Sequence, residues 1–263
     1  LPGRVAAIAV VAAERGAGEE LDRLRLVLLH EIALQVALGE HNHHAQPALA
    51  RHLRGEVDAP PAEAVVLRVH GAVVDVQVGQ LLRTHERAEA GETLTAQLLC
   101  DIHLGLKSNS KIHLQDCEEF VDWFIKNAKE NNCETGIFCG DWHHNRNTIN
   151  VQTLDATTRC LEKLGAAFEK FYFFAGNHDL YYKDKRDVYS VEFGKHIPGI
   201  TYIDEIYEKD DVALIPWLVG EEWKKIPKIK SKYMFGHFEL PNFYMNAMVQ
   251  MPDTGELKAE HFK

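Results

Sequence analysis

The first 97 residues contain no phenylalanine, tyrosine, tryptophan, methionine or lysine. All 12 Phe, 8 Tyr, 4 Trp and 4 Met follow residue 100, and the first lysine is Lys107. Upstream, Ala, Val, Leu, Glu and Arg dominate; downstream, arginine occurs only at Arg146, Arg159 and Arg186. Aromatic side chains supply much of the buried area of a core, so a dense core is harder to build before the change than after it. Positive charge is also scarce. A net charge of −10 excludes a broad basic face as the means of gripping nucleic acid, so any such contact is local, metal-assisted or shared with a partner. No apolar run approaches the ~20 residues of a membrane span. The stretch at 5–13 is short and preceded only by Arg4, a weak secretory signal. The five cysteines, Cys100, Cys117, Cys133, Cys139 and Cys160, are odd in number and form no CxxC pair. That favours reduced thiols and a cytosolic setting over a disulfide framework.

The compositional seam looks like a junction between two coding regions of different base composition. It separates residues 1–97, left unassigned, from a chemical half at 98–263. The upstream segment has helical material at 19–38 and an alternating, strand-like run at 65–78. It reads as a fused domain, a poorly folded extension or a translation in the wrong frame. Its His41, His43 and His44 lack a periodic scaffold or a matching carboxylate motif and read as a solvated loop.

What the second half does contain is one chemistry repeated four times. Asp101-Ile102-His103, Gly140-Asp141 with His144 behind it, Gly176-Asn177-His178-Asp179 and Gly236-His237 supply carboxylates, imidazoles and one amide. These oxygen and nitrogen donors suit a pair of divalent transition-metal ions. Each motif follows a short apolar run that reads as a strand, at 98–100, 136–139, 171–175 and 233–235. Polar groups at the carboxyl ends of buried strands make the rim of an α/β active site. Singly the motifs are weak, since an Asx turn explains Asn177 equally well. The ordered set is strong. Helices are expected near 114–129, with Phe120, Val121, Phe124 and Ile125 on one face, and near 150–164. Further strands are expected at 199–206 and 212–215, so the alternation predicts a layered α/β fold. Cys100 and Cys139 adjoin the ligands, but strand alternation points them away, as core thiols.

Residues 98–263 resemble the calcineurin-like metallophosphoesterases, and within them the SbcD-type DNA repair nucleases and the phage recombination nuclease subunit. The segments that carry the resemblance are Asp101-Ile102-His103-Leu104-Gly105, Gly140-Asp141-Trp142-His143-His144-Asn145, Ile215-Pro216-Trp217 and Gly236-His237-Phe238-Glu239-Leu240. The resemblance implies a β-sandwich flanked by helices and a two-metal DNA nuclease. Asp101 and His103 would bind the first ion, Asp141 would bridge, and Asn177 and His237 would bind the second. His178 would sit at the scissile phosphate, Asp179 would orient His178 through its ring nitrogen, and His144 would line the site. Ligation by Asp, His and Asn without thiolate suits manganese, with iron or zinc as alternatives. Implied partners are DNA, an SbcC-like ATPase and a second copy of the chain, in the cytoplasm of a bacterial or phage-infected cell. The family pattern continues with a Gly-His-x-His segment that these residues do not contain, and His261 does not replace it. On that reading the chain is a fragment of the nuclease. A different phosphoesterase of the same fold, or a metal-impaired subunit that only docks, are the competing functions. The lysines at 224, 225, 228, 230 and 232 read either as a DNA-backbone contact or as an exposed helix end. Trp123, Trp142, Trp217 and Trp223 read as core or rim aromatics before base-stacking platforms, and Trp142, inside the metal motif, is the one to test for stacking.

Overall fold

In strands β6 (Thr135–Cys139) and β7 (Lys170–Phe174) nearly every side chain is apolar, and alternation divides them between two cores. Phe138, Phe171 and Phe173 face one side, while Ile137, Cys139 and Phe174 face the other. A strand buried on both faces belongs inside a sheet covered on both sides. The computed structural model describes residues 94–263 apart from 210–211, 232, 242–243, 247–248, 254–255 and 263, together with the strands β1 (Ala9–Val11), β2 (Leu26–Leu28), β3 (Val65–His70) and β4 (Val73–Val78).

The main sheet has the order β4-β3-β5-β6-β7-β8, where β5 is Leu94–Leu99 and β8 is Ile200–Ile203. Strands β5 to β8 run parallel, and β3 pairs antiparallel with both β4 and β5. Helices α1 (Lys111–Glu130) and α2 (Val151–Ala167) cover the first face. Leu114, Val121 and Phe124 of α1 and Leu161 and Leu164 of α2 pack there against Leu99, Phe138, Phe171 and Phe173. Full burial of each such side chain contributes about 1.5–3 kcal/mol. The N-terminus of α2 is capped by Asn150, whose side chain accepts from the Gln152 N–H at 2.8 Å.

A second sheet, ordered β11-β10-β9, covers the other face with β9 (Tyr207–Lys209), β10 (Val212–Ile215) and β11 (Tyr233–Gly236). Leu214, Tyr233 and Phe235 meet Ala96, Leu98, Cys100, Ile137, Cys139, Phe174 and Ile203 between the sheets. Cys100 and Cys139 are thus core thiols, raised far above the ordinary thiol range by burial. The outer side of the second sheet is closed by Ile226, Ile229, Phe238, Leu240 and Phe262. A short antiparallel pair, β12 (Tyr244–Asn246) and β13 (Val249–Gln250), follows.

The layered α/β expectation agrees with this architecture, and the elements at 114–129, 150–164, 171–175 and 212–215 are found within a few residues of their expected ends. Two details differ. Strand β5 begins at Leu94, so the change of composition falls inside a strand, and β3 extends the same sheet on its upstream side. Of the helical material expected at 19–38, the described part is β2, paired antiparallel with β1. The histidines at 41, 43 and 44 lie outside the described residues. Among the described residues no helix is long and apolar enough to cross a membrane.

Candidate metal centre

Parallel strands deliver their carboxyl ends to one edge, and the loops after β5, β6 and β7 carry Asp101, Asp141 and Asn177 to that edge. The first two loops are laced together by their backbones. Asp101 N donates to Gly140 O at 3.0 Å, His103 N to Asp141 O at 3.1 Å, and Leu104 N to Trp142 O at 2.8 Å. Asp101, His103 and Asp141 all take the left-handed conformation, with φ of 49°, 46° and 62°. Such non-glycine residues are uncommon, and clusters of them occur where a site requires the backbone to turn side chains inward.

His237 arrives from the second sheet, at the end of β11. Its Nδ1 lies 3.0 Å from Cys139 O, a partner that only accepts, so Nδ1 carries the proton and Nε2 presents a lone pair. That Nε2 faces Asn177 Oδ1 at 3.0 Å and Asp141 Oδ2 at 3.7 Å. His103 Nε2 stands 3.6 Å from the same Asp141 Oδ2 and 3.3 Å from Asp101 Oδ1. The structure therefore brings together Asp101, His103, Asp141, Asn177 and His237, with Asp141 common to both subsets.

Several of these atoms are buried with ion-pair neighbours at most and no hydrogen bond. Both carboxylate oxygens of Asp101 and both ring nitrogens of His103 are buried without a hydrogen bond. The Asn177 amide oxygen faces the Asp141 carboxylate and the His237 nitrogen lone pair; turning the amide over would instead give both a donor. Buried acceptors converging on one point are costly unless a cation joins them. The charges agree. Burial alone would depress the His103 pKa, but the carboxylates of Asp101, Asp141 and Asp179 lift it to about 8. Burial raises Asp101, whereas at Asp141 it is outweighed by the imidazoles of His237, His103 and His178, which hold that carboxylate low. The donor set, all oxygen and nitrogen, fits divalent ions of the manganese, iron or zinc kind.

His178 and His144 stand beside these five donors. His103, His144 and His178 can bring ring nitrogens within 4.8 Å of one another. The His144 and His178 rings stack at 5.5 Å, and the His178 ring meets His103 edge-on at 4.9 Å. Burial, with the neighbouring His103 and His178, pushes His144 down to about 4. The pairing of Asp179 with the His178 ring is not what forms. The His178 Nδ1 lies 2.9 Å from the His144 carbonyl, while the Asp179 carboxylate, fully buried, accepts four backbone N–H groups. These are Asp141 at 2.9 Å, Trp142 at 3.2 Å, His143 at 2.9 Å and Gly176 at 2.9 Å. Asp179 is the anchor of the 141–143 loop. Burial and the charge of Asp141 push it up to about 7, against the pull of those N–H donors.

Trp142 is a core aromatic, in line with the reading the sequence favours, and not a stacking surface. It is fully buried against Phe138 and Phe173, with Nε1 donating to Thr157 Oγ1 at 3.2 Å. Trp217 is the tryptophan that touches the site, edge-on to His237 at 5.8 Å. His261 stacks on Trp223 instead of approaching the ligands. Lys224 and Lys225 pair with Glu221 and Glu222 on the Glu222–Lys228 segment, and Lys232 lies outside the described residues. Sequence reasoning missed Arg146, whose Nη1 donates to the carbonyls of Asn177 and, at 3.2 Å, Leu180. Its rarity among the downstream cations and its place five residues after Asp141 were the available signals.

Two glycines make the close approach of these loops geometrically feasible. Gly140 has φ 99°, and a Cβ there would lie 2.7 Å from Gly176 Cα and 2.8 Å from His237 Nδ1. A Cβ on Gly176 would collide with the Asp141 carboxylate and its backbone nitrogen. Gly176→Ala is therefore expected to displace Asp141 and weaken divalent-ion binding by ~10–100-fold, the range found when support around a ligand is lost. Calorimetric titration giving the wild-type affinity would show that this approach does not set the carboxylate.

No family model matches the chain. Among curated proteins it is similar to Exonuclease subunit 1 of Enterobacteria phage T4, at 27% identity over 159 residues, a match covering 56% of this chain and 46% of that protein. The chain thus spans about half the length of this relative. This similarity agrees with the relation to nuclease metallophosphoesterases that the motifs suggest. Among solved structures, the Pseudomonas putida nuclease MPE overlays with a TM-score of 0.31 and 24% identity, covering 48% of this chain and 60% of that one. The fold described above rests on its own strand pairing and not on that overlay.

Proposed function

We propose that the chain is a metal-dependent nuclease subunit that hydrolyses phosphodiester bonds in DNA during repair or recombination. The observation that carries this reading is the convergence of five buried donors, from four strand ends in two sheets, around Asp141. In this reading Asp101 and His103 would hold one divalent ion, Asn177 and His237 would hold the other, and Asp141 would serve both; manganese is the preferred ion. When bound, such a pair supplies charge neutralisation for a phosphate and acidifies a water nucleophile.

The chain's own residues do the remaining work. Asp141 Oδ1 accepts from the His178 N–H at 2.8 Å, so the shared carboxylate positions the backbone of the residue beside the phosphate. The His144 carbonyl holds the Nδ1 proton of His178, so in the imidazolium form a second proton on Nε2 would be the one offered to the phosphate or the departing oxygen. Arg146 stiffens the turn that carries Asn177 and His178. The acidic chain makes a broad electrostatic grip on DNA a poor expectation. Together with the family resemblance, this supports a partner that holds the DNA, an ATPase of the SbcC kind, and assembly with a second copy. The five free thiols support a cytoplasmic setting.

The test compares linear duplex DNA with a phenyl phosphodiester, with and without manganese. Manganese-dependent cleavage of both is the expected result. Turnover of the small ester without cleavage of DNA would replace the nuclease by another phosphodiesterase of the same fold. Turnover of neither would sink the catalytic reading.

A further inference from the structure

The segment after Asp179 rests on the proposed nuclease reading and extends it. Tyr181 and Tyr182 follow His178 by three and four residues, at most about 15 Å of chain. They are 46% and 47% exposed, large for aromatic side chains in a folded domain. Their rings meet edge-on at 4.8 Å and 78°, so one of the two has neither face covered by the other.

The segment that carries them is held at many points. Leu180 bridges Tyr189, and Tyr181 N donates to Val188 O at 2.9 Å. Trp217 Nε1 donates to Lys183 O at 3.2 Å, and Arg186 donates to Trp217 O at 2.7 Å while pairing with Glu222 at 2.6 Å. At its start, Arg146 binds the carbonyls of both Asn177 and Leu180, tying the tyrosines' base to the ligand turn. Cations flank the pair: Lys185 Nζ lies 5.8 Å from the Tyr182 ring, and Lys183 reaches Glu239 and the Trp217 ring. Rigid, exposed aromatics with neighbouring cations, beside a centre suited to phosphodiesters, have the makeup of a base-stacking platform.

We propose that the Tyr181–Tyr182 pair offers one ring face, braced edge-on by the other ring, for stacking on a nucleobase of an unpaired DNA strand next to the phosphate held at the metal centre. This makes a frayed or single-stranded end the preferred form of substrate, without sequence preference, because every base has a π-face.

The test measures manganese-dependent cleavage of a duplex with unpaired ends and of a blunt duplex, each relative to phenyl phosphodiester turnover by the same preparation. Tyr181→Ala combined with Tyr182→Ala is expected to lower relative cleavage of the unpaired ends by about 5- to 100-fold, the range for lost base stacking. Tyr181→Phe with Tyr182→Phe is expected to restore it, since the π-face returns without the hydroxyl. An alanine pair that cleaves unpaired ends at the wild-type ratio overturns the platform alone. An equal loss on blunt and unpaired ends, or no rescue by phenylalanine, also overturns it. Wild-type protein that turns over the ester and leaves both DNAs intact overturns the nuclease reading, and the platform with it.

Discussion

Asp141→Ala is expected to abolish manganese-dependent cleavage and manganese binding together. Asp141 is fully buried, and its Oδ2 is the atom that both His103 and His237 face, at 3.6 and 3.7 Å. Removing it takes away the group shared by both halves of the donor set. It also leaves the His178 N–H without its acceptor and the neighbouring imidazoles without the negative charge they surround. Loss of groups that merely support a ligand weakens affinity ~10–100-fold, so loss of this ligand is expected to exceed ~100-fold. Asp141→Asn separates charge from shape, because an amide oxygen still accepts from His178 N. Wild-type manganese affinity in the asparagine variant, measured by titration, would contradict the assignment of Asp141 as the shared carboxylate.

His178→Ala is expected to do the opposite: keep the metal and lose turnover. The contact of His178 with Asp141 is made by its backbone N–H, which alanine retains, and Asn177 and His237 do not depend on its ring. What the variant removes is an imidazole fixed at Nδ1 by the His144 carbonyl and stacked against His144. A positioned acid–base group contributes about 10²–10⁴-fold to rate, and a loss of that order is expected at unchanged manganese affinity. DNA cleavage at the wild-type rate would remove His178 from the reaction.

Much of this centre was legible because apolar strands are easy to read and their ends are short. Phe171 to Ala175 announces a strand, and Gly176-Asn177-His178 can then only be the loop beyond it. The position of each candidate donor follows from one strand at a time. What a side chain bonds to is a different matter. Asp179 looked like a partner for the neighbouring imidazole because side chains are what a sequence displays. Its actual partners are four peptide N–H groups, which look the same under any residue name. Trp142 is a core aromatic, as the sequence favours, but where it is buried was not legible. Its position three residues past β6 does not reveal that the chain turns back and tucks the indole under Phe138 and Phe173. Arg146 went unweighted because it acts on two carbonyls, again through the backbone. The start of β5 at Leu94 was hidden by the compositional break, which pairing of strands does not respect.

The left-handed backbone at Asp101, His103 and Asp141 has a consequence for which amino acids this rim can use at all. That region of conformational space admits asparagine, aspartate and histidine several-fold more readily than other side chains, and is hostile to β-branched or bulky ones. The vocabulary of the site is therefore restricted by main-chain torsion before any ion exerts its preference. A redesign toward another ion would find short oxygen and imidazole donors already welcome at these three positions, and would have to rebuild the loops to install anything else.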